Sequence, residues 1–510
     1  GQWQPSTPQT AAKFSATAFY FGRKLQEELQ VPIGLIHTSW GGTPIQAWMS
    51  KRYLAQLEEY KAILKTLDEA GPELAKLQDW LNRHPTIDVS QKEAEDKWQN
   101  LDFQDAACAS PEFDDSPWPT MTLPTTWERT EVGNFDGALW FRKKIELPES
   151  WLNKDLVLEL GPIDDMDVTF VNGHKVGGYE IDGHWQTDRI YLVPKEVVQQ
   201  KMMTLAVRVI DTRGGGGIWG QPEKLKIHPQ GSDESLGLVG SWNYLPVAEY
   251  RGGKFYVFGA KGQEYLSRPK LPLDLSAYTP TALYNAMIKP LCPYAIRGVI
   301  WYQGESNTNQ PELYKTLFPM MIQNWREDWN QGDFSFYYVQ LAPYNYGATT
   351  QSQKLREAQL VTLSTPKTGM VVTLDIGNPN NIHPSNKKDV GERLARWALA
   401  KDYGKKVVYS GPLYKGLKMV KEKIILSFDY TNGGLILKER NGEHHFLIAG
   451  EDKVFKKAEV KVKGNKLMVS HPEIKKPVAV RYAWSNTEEA TLFNGAGLPA
   501  SSFRTDNWME

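Results

Sequence analysis

The sequence reads Trp301-Tyr302-Gln303-Gly304-Glu305-Ser306-Asn307 at the end of a short apolar run, residues 298–301. A run of this kind predicts a buried strand. The stretch therefore places amide, carboxylate and hydroxyl side chains at the carboxyl end of a strand, where open α/β sheets bind their ligands. We expect a functional site at this edge of a parallel sheet.

Two further segments are built in the same way. Ser39-Trp40-Gly41-Gly42-Thr43 follows the apolar run 33–36, and Asp375 ends the apolar run 370–374, with His383 eight residues later. Both runs predict strands. Since parallel strands bring their carboxyl ends to one side, we expect the three polar groups to converge, with Cα separations below about 15 Å.

Helices and strands alternate through the same part of the chain. Helical patterns at 313–329, 354–363 and 389–400 are interleaved with strand-like apolar runs at 334–341 and 369–374. Alternation of this kind, with nearly continuous apolar strands, indicates a parallel sheet covered by helices on both faces. The expected fold class is α/β.

A different pattern occupies the middle and the end of the chain. From 113 to 228, short β-type runs are separated by turns such as Asn172-Gly173, which is typical of a β-sandwich. The four glycines 214–217 lack the Lys and Ser/Thr of a phosphate-binding loop and predict a plain loop. Residues 232–279 show no regular pattern, and β-type runs return after residue 409. The predicted domains are the first part of an α/β domain (1–105), a β-sandwich insertion (106–231), the second part of the α/β domain (232–408) and a β-rich C-terminal domain (409–510).

Composition narrows the classes of function. The 510 residues are 41% apolar and 23% charged with a formal net charge of −1, so charge favours neither a nucleic-acid partner nor an anionic membrane. No apolar run approaches the ~18–20 residues that span a bilayer. The first residues have neither the basic region nor the apolar core of a signal peptide. The only two cysteines, Cys108 and Cys292, exclude a disulfide scaffold and a multi-cysteine metal site.

The polar segments contain candidate groups for ester hydrolysis. That reaction needs a nucleophile, a base that takes its proton and donors aimed at the developing oxyanion. His383 is the candidate base, because it follows a strand and its backbone is restricted by Pro384. Asp375 could orient the imidazole as a triad acid does, although a strand-end Asp is also a common turn or helix cap. Asn378 and Asn381 are closer in sequence but could only orient the ring, since they carry no charge.

Oxyanion donors are expected in the other two segments. Gly41-Gly42 offers backbone N–H groups where no Cβ blocks approach, and a tight strand-to-helix turn is the alternative explanation. The Gln303 amide is a further candidate donor. Glu305 either holds its loop or contacts substrate, and a buried ion pair with Arg297 or Arg356 is the alternative that the sequence leaves open.

These motifs resemble those of the sialate O-acetylesterase family, within the SGNH-type hydrolases. The matching segments are 31–43, 298–307 and 375–384, with the helical stretch 14–23 before them. The resemblance implies a secreted or periplasmic carbohydrate esterase that removes O-acetyl groups from sialic acid or related glycans by a serine mechanism. It implies no metal and no cofactor. The implied partner is an O-acetylated carbohydrate substrate.

A second resemblance concerns the middle of the chain. Residues 113–228 are similar to the sugar-binding jelly-roll modules of glycoside hydrolases, through Asp164-Asp165 and Val171-Asn172-Gly173. Taken together, the two resemblances predict an SGNH-like parallel sheet with helices on both faces. A jelly-roll-like β-sandwich interrupts that domain in the sequence, and a small β domain follows it.

One part of the family pattern is missing. The family's nucleophilic serine lies in Gly-Gln-Ser-Asn-Met after the first sheet strand, and this sequence has no such motif. We therefore expect the nucleophile on an N-terminal segment of a longer protein, which would be a partner of this chain. Without that strand the sheet should show a gap or an unpaired edge. Ser39 and Ser306 are the candidate nucleophiles inside the chain.

Two other functions remain open from the sequence. A glycoside hydrolase would use Glu305 with Asp375 and would need the two carboxyl groups ~5 to 9.5 Å apart across an open cleft. A non-catalytic glycan-binding protein would present exposed aromatic platforms on its β domain and no polar pocket at His383.

Overall fold

The computed structural model describes residues 2–92, 96–261, 264–273 and 275–508. Contacts divide the chain into two compact units, Lys65–Asp274 and the combination of Gly1–Leu64 with Leu275–Glu510. Helices and strands are both abundant, which confirms the α/β class. Within the described ranges, no helix has the length and apolar character that crossing a membrane requires. The helices are α1 (Pro8–Ala11), α2 (Ala16–Leu29), α3 (Lys51–Leu54), α4 (Glu58–Leu81), α5 (Pro311–Trp329), α6 (Ser352–Val361) and α7 (Lys387–Lys401).

The helices begin and end where the local sequence permits. Ser15 caps α2 and Asn386 caps α7, each by accepting the backbone N–H three residues on, at 3.2 Å and 3.1 Å. Helix α2 ends at Gln30 and α5 ends at Asn330, both in the left-handed conformation that satisfies the last carbonyl groups.

The unit Lys65–Asp274 is built on two antiparallel sheets. The larger sheet has the strand order β1-β13-β12-β3-β8-β5-β6, with β2 also paired to β12, and the smaller has the order β11-β10-β4-β7, with β9 on β4. The strands are β1 (Thr86–Asp88), β2 (Thr120–Leu123), β3 (Gly137–Glu146), β4 (Leu156–Asp164), β5 (Met166–Val171), β6 (His174–Tyr179), β7 (Asp188–Val193), β8 (Met202–Asp211), β9 (Gly217–Ile218), β10 (Leu225–Pro229), β11 (Leu236–Gly237), β12 (Gly240–Arg251) and β13 (Lys254–Val257).

The two sheets share one hydrophobic core. Phe141 and Val207 of the larger sheet and Leu158, Val193 and Ile227 of the smaller belong to the same buried cluster. Alternating burial along β7 and β10 shows one face of the smaller sheet turned to that core. This is the layer arrangement of a β-sandwich.

The turn between β5 and β6 follows directly from its sequence. Asn172 and Gly173 both have positive φ angles, 46° and 82°. A two-residue hairpin loop of this kind matches the right-handed twist of the strands, and Asn-Gly is its preferred sequence. The predicted turn at this position is confirmed.

The parallel sheet lies in the other unit. It contains β14 (Gly298–Trp301), β15 (Ser335–Val339) and β16 (Thr368–Val371) in that spatial order, with parallel pairing throughout. Strand β15 is buried along its whole length. Strand β14 pairs with β15 on one side and with no other described strand, so it forms an edge of the sheet.

Helices cover both faces of this sheet, as the sequence predicts. On one face Tyr337 and Val339 pack with Trp397 of α7 and Leu25 of α2 in one buried cluster. On the other face the ring of Phe318 in α5 lies edge-on to the ring of Phe336, with centroids 6.1 Å apart. Successive residues of β15 therefore contribute to opposite cores.

The C-terminal β region belongs to the same unit as the parallel sheet. Gln340, directly after β15, donates to Ser501 Oγ at 2.8 Å, and Arg356 of α6 donates to Ser502 Oγ at 3.1 Å. Its antiparallel sheets have the orders β17-β18-β23-β22, β19-β25 and β21-β20-β24-β26. The strands are β17 (Leu413–Val420), β18 (Lys423–Asp429), β19 (Leu435–Leu437), β20 (Phe446–Gly450), β21 (Phe455–Lys457), β22 (Glu459–Lys463), β23 (Lys466–Ser470), β24 (Pro477–Tyr482), β25 (Leu492–Asn494) and β26 (Phe503–Arg504).

Two expectations differ from the structure. The apolar run 33–36 is not a strand, and Ile36 in it is 40% exposed. A strand needs a hydrogen-bonded neighbour, and this run has none among the described residues. Residues 232–279 are not irregular throughout, because they include β12 and β13, which pair in the larger sheet with β1 and β3. The unit Lys65–Asp274 is accordingly wider than the predicted insertion 106–231.

The crossing of α2 and α7 gives a direct test of the packing. A Cβ on Gly391 of α7 would lie 2.6 Å from Thr17 O and 2.7 Å from Phe21 N, which are backbone atoms of α2. We expect Gly391→Ala to lower the free energy of unfolding by about 1–3 kcal/mol, because the two helices would have to separate. Thermal unfolding measures this change.

Gly22→Ala is the matched control. Its Cβ would meet the end of the Leu35 side chain at 2.6 Å, and that side chain can move aside. Both substitutions gain helix propensity of about 1 kcal/mol. If Gly391→Ala unfolds at the same temperature as Gly22→Ala or above it, the close approach of α2 and α7 is refuted.

Candidate active site

A buried amide joins the loop after β14 to the Gly-Gly segment. Gln303 Nε2 donates to Thr43 O at 3.1 Å and to Asn307 Oδ1 at 2.8 Å. Its carbonyl oxygen accepts from the Tyr314 hydroxyl at 3.0 Å. Both hydrogens of the Gln303 amide are thus engaged within the protein. In this structure Gln303 holds two loops together and has no hydrogen left for the oxyanion role that the sequence suggested.

Asn307 makes the second tie between the same loops. Its side chain is 1% exposed, and its Oδ1 accepts from Ile45 N at 2.9 Å as well as from Gln303. Its Nδ2 donates to Gln46 Oε1 at 3.2 Å. The sequence analysis did not single out Asn307, although it ends the motif from which that analysis begins.

The Gly41-Gly42 turn lies against this loop. The Ser306 hydroxyl donates to Gly42 O at 2.5 Å, so the first two polar segments converge as predicted. Both glycines are exposed, and Gly42 has a φ of 72°, a conformation that favours glycine. Neither glycine N–H has an acceptor in the described part of the chain. The two N–H groups are therefore available to a ligand.

Glu305 lies in the short 3-10 helix Glu305–Asn307 and is partly buried. Burial raises the pKa of its carboxyl group above the ordinary value. The backbone N–H groups of Glu305 and Gly304 and the charges of Lys387 and His383 oppose that rise. The charge of His383 thus acts on Glu305, which links the third polar segment to the other two.

Lys387 also belongs to this neighbourhood, although the sequence gave no signal for it. Its ammonium group lies 4.9 Å from the centre of the Tyr302 ring, in a cation–π contact. Burial lowers the pKa of Lys387, and the charge of Glu305 acts in the opposite direction. Burial also raises the pKa of the Tyr302 hydroxyl.

Asp375 has a different partner from the one expected. Its two carboxylate oxygens accept from Arg393 NH1 at 2.7 Å and from Arg393 NH2 at 2.6 Å. This bidentate pair uses both oxygens, and no hydrogen bond joins Asp375 to His383 in the described structure. The expected orientation of His383 by Asp375 is not present.

The exposed side chain of His383 has no partner within the described ranges. Its backbone N–H donates to Asn381 Oδ1 at 2.9 Å, and the Asn380 N–H donates to Asn378 Oδ1 at 2.9 Å. Asn378 and Asn381 therefore shape the turn before His383 and do not contact its imidazole. The ring is free to meet a substrate or a nucleophile.

Neither proposed arginine pairs with Glu305. Arg356 is fully buried and donates to Ser352, Ser502 and carbonyl groups of the C-terminal region. Arg297 donates to Asp402 O at 3.1 Å. The ion pair that the sequence left open for Glu305 is thus absent from the described chain.

A serine–histidine contact lies just before the Gly-Gly turn. His37 Nε2 is 2.6 Å from Ser39 Oγ, and both residues are exposed. Ser39 is a predicted candidate nucleophile, whereas His37 is not among the predicted site residues. The two-residue spacing, which puts both side chains on one side wherever a chain is extended, could have indicated the pair.

Comparison with known proteins finds similarity over part of this chain. Residues 272–400 match the protein family described as "Carbohydrate esterase, sialic acid-specific acetylesterase". The human sialate O-acetylesterase is 30% identical over 231 residues, covering 40% of this chain and 43% of the human protein. The mouse protein of that name is 33% identical over 171 residues, covering 29% of this chain and 32% of its own length. The matched region is thus less than half of these relatives.

A solved structure is also similar. It is described as a novel carbohydrate acetylesterase from Xanthomonas citri and is 26% identical, with a TM-score of 0.44. The match covers 70% of this chain and 96% of that one. The resemblance to sialate O-acetylesterases that the sequence motifs indicate is confirmed by the family match and the curated relatives.

Asn307 offers the first test of the site. Asn307→Leu removes the acceptor of two buried N–H groups, those of Ile45 and Gln303. Each unpaired donor costs about 1–3 kcal/mol, so we expect the free energy of unfolding to fall by about 2–6 kcal/mol. Urea unfolding gives the value. Asn309→Leu, at an exposed position two residues on, should change it by less than about 0.5 kcal/mol. Equal effects of the two variants would contradict the role of Asn307.

Glu305 gives a test that depends on pH. An acid whose pKa is raised by folding destabilises the native state when it is ionised. Glu305→Gln should therefore unfold at a higher temperature than the wild type at pH 8. The difference should close as the pH falls through the folded pKa of Glu305 towards the ordinary Glu value of about 4.3. Glu451→Gln, at an exposed position, should follow the wild type at every pH. If the unfolding temperature of Glu305→Gln also follows that of the wild type at every pH, the raised pKa of Glu305 is refuted.

Proposed function

We propose that this chain, whose residues 272–400 belong to the sialic acid-specific acetylesterase family, acts as a carbohydrate esterase that removes O-acetyl groups from sialic acid or related glycans. The observation that carries the proposal is the pair of unpaired N–H groups at Gly41 and Gly42, fixed by Ser306 beside Glu305 and His383. Donors of this kind stabilise the oxyanion of acyl transfer.

The proposed chemistry assigns a role to each group. A serine oxygen attacks the acetyl carbonyl carbon, its proton passes to His383, and the N–H groups of Gly41 and Gly42 bind the carbonyl oxygen as it becomes negative. The sugar oxygen then leaves with the proton from His383. Water then gives a proton to His383 and attacks the acetyl-enzyme. The bond to the serine oxygen breaks, that oxygen takes the proton back from His383, and acetate leaves. Glu305 stabilises the imidazolium through its charge, a role that the bond to Arg393 denies to Asp375.

We place the serine on an additional strand that pairs with β14. The exposed side of β14 supports this placement, because its backbone groups have no described strand opposite them. The run 33–36 supports it as well, since Ile33 and Ile300 border the same hydrophobic cluster and neither run has a described strand partner in that direction. A parallel strand between them would complete an SGNH-like sheet and bring its carboxyl end to the site.

Ser39 is the second candidate nucleophile, on the evidence of its 2.6 Å contact with His37. Ser306 is a weaker one, because its hydroxyl donates to Gly42 O. A glycosidase using Glu305 and Asp375 is not favoured. Asp375 is bound to Arg393 on both oxygens, which removes it as a free acid or nucleophile.

The rest of the proposal follows the family. We assign the protein to the secreted or periplasmic glycan-degrading enzymes and the sandwich in Lys65–Asp274 to the jelly-roll modules that bind sugars. We also propose that residues 409–510 form a C-terminal domain, attached through the hydrogen bond from Arg356 to Ser502.

The nucleophile assignment is tested by comparing two proteins. The 510-residue chain alone should turn over p-nitrophenyl acetate and O-acetylated sialic acid poorly and should not be labelled stoichiometrically by a fluorophosphonate. The gene product with its upstream sequence should show both activities. In that protein His383→Ala should lower kcat by at least about 10³-fold. His174→Ala, an exposed histidine of the sandwich, should leave kcat unchanged.

Other results would overturn parts of this proposal. Stoichiometric labelling of the 510-residue chain would place the nucleophile inside it, and loss of label in Ser39→Ala or Ser306→Ala would identify the residue. An upstream-extended protein that is inactive on every O-acetyl sugar and on p-nitrophenyl acetate would refute the esterase function.

A further inference from the structure

Three carboxylates meet in the sandwich, far along the sequence from the residues proposed for hydrolysis. Asp164 ends β4, Asp165 follows it, and Asp211 ends β8. One oxygen from each lies within 4.8 Å of the other two. The backbone fixes this meeting, because Asp165 N donates to Ile210 O at 3.2 Å.

The cluster has no compensating side chain. None of the three carboxylates forms an ion pair with Lys, Arg or His among the residues described for this unit. Arg189 is near, but its guanidinium donates to Asp167 and to the carbonyl groups of Ile163 and Asp165. Like charges at this separation repel strongly away from bulk water.

The hydrogen bonds of the cluster leave one buried oxygen unused. Asp165 Oδ2 accepts from Thr212 N at 3.1 Å and Thr212 Oγ1 at 3.0 Å, and Asp211 Oδ1 accepts from Arg213 N at 3.0 Å. The side chain of Asp211 is completely buried, and its Oδ2 has no partner in the described structure. A buried carboxylate oxygen without a partner is costly and points to a missing ligand.

We propose that Asp164, Asp165 and Asp211 bind one calcium ion. Carboxylate oxygens are the ligands that this cation prefers. Calcium–oxygen distances of about 2.3–2.6 Å allow ligands up to about 5 Å apart, which accommodates the 4.8 Å limit of the cluster. Magnesium demands a near-ideal octahedral shell at about 2.1 Å and gives up its water reluctantly, whereas calcium accepts irregular shells of oxygen ligands. Asp164 is partly exposed, so water can complete the coordination shell.

The position of the cluster indicates what the ion does. Asp164 comes from the smaller sheet and Asp211 from the larger, so the ion ties the two layers together at one end of the sandwich. The loop of four glycines begins three residues after Asp211 and is anchored to Asp165 through Thr212. The ion is therefore structural, and its presence does not depend on the proposed esterase function.

The test uses the full 510-residue chain after treatment with EDTA and removal of the chelator. Terbium, which replaces calcium, should give luminescence excited through tryptophan, because Trp219 donates its backbone N–H to Pro162 O near Asp164. Calcium should displace it with a stoichiometry of one, and magnesium at the same concentration should not. Calcium at 1 mM or so should raise the unfolding temperature by about 2–4 °C.

Variants locate the site. Asp211→Asn should weaken calcium displacement of terbium at least about tenfold, and the partly exposed Asp164→Asn should do the same if the first variant fails to fold. Asp182→Asn, an exposed acid of the same unit, should bind as the wild type does. Wild-type affinity in Asp164→Asn would overturn the proposal. Two results together would overturn it in another way: calcium neither stabilises the chain nor displaces terbium from it, and Asp164→Asn stabilises the chain in the absence of metal. The carboxyl groups would then share a proton instead of binding calcium.

Discussion

The bonds of two buried amides, Gln303 and Asn307, set the geometry of the candidate site. Together they satisfy backbone groups of Thr43 and Ile45, which lie some 260 residues earlier in the chain. The regular structure described in these loops is limited to the short 3-10 helices Ile45–Trp48 and Glu305–Asn307, so these hydrogen bonds take the place of a sheet ladder. Because the groups involved are buried, losing one bond leaves a polar atom without water to replace its partner. The Gly-Gly turn and the strand-end loop are therefore held together.

The convergence of polar segments could be predicted from the sequence, but the partners of individual side chains could not. Gln303 follows β14 at the carboxyl edge of the sheet, as predicted, but residues 33–36 form no strand, so side-chain hydrogen bonds and not the sheet bring Gly42 beside it. Asp375 is different. Its partner Arg393 lies 18 residues later in α7, and only the packing of that helix on the sheet brings the guanidinium to the carboxylate. A spacing that resembles a triad cannot reveal such a competitor.

The differences between the predicted and the observed strands also depend on packing partners that the sequence does not reveal. Strand β12 contains Pro246, which cannot donate to a ladder, and the register shifts between Pro246 and Ala248. A proline inside an apolar run argues against a central strand, yet a bulge accommodates it here. For the run 33–36 the error is the opposite one, because a strand is predicted and none is present. Its composition favours a strand, but β structure forms only with a neighbour, and composition cannot say whether a neighbour is present.

The carboxylates of Asp375 and Glu305, both candidate acids from the sequence, differ in whether a cation neutralises them. Asp375 and Arg393 neutralise each other, so the charge of Asp375 is not available to the site. Glu305 lacks such a pair and exerts its charge on His383 and Lys387. None of the bonds that hold Glu305, the Gly-Gly turn or the His383 loop involves the open side of β14. The N–H groups of Gly41 and Gly42 and the ring of His383 are thus in position without any contribution from that edge. A nucleophile placed there, as proposed, would meet a site whose other parts need no rearrangement.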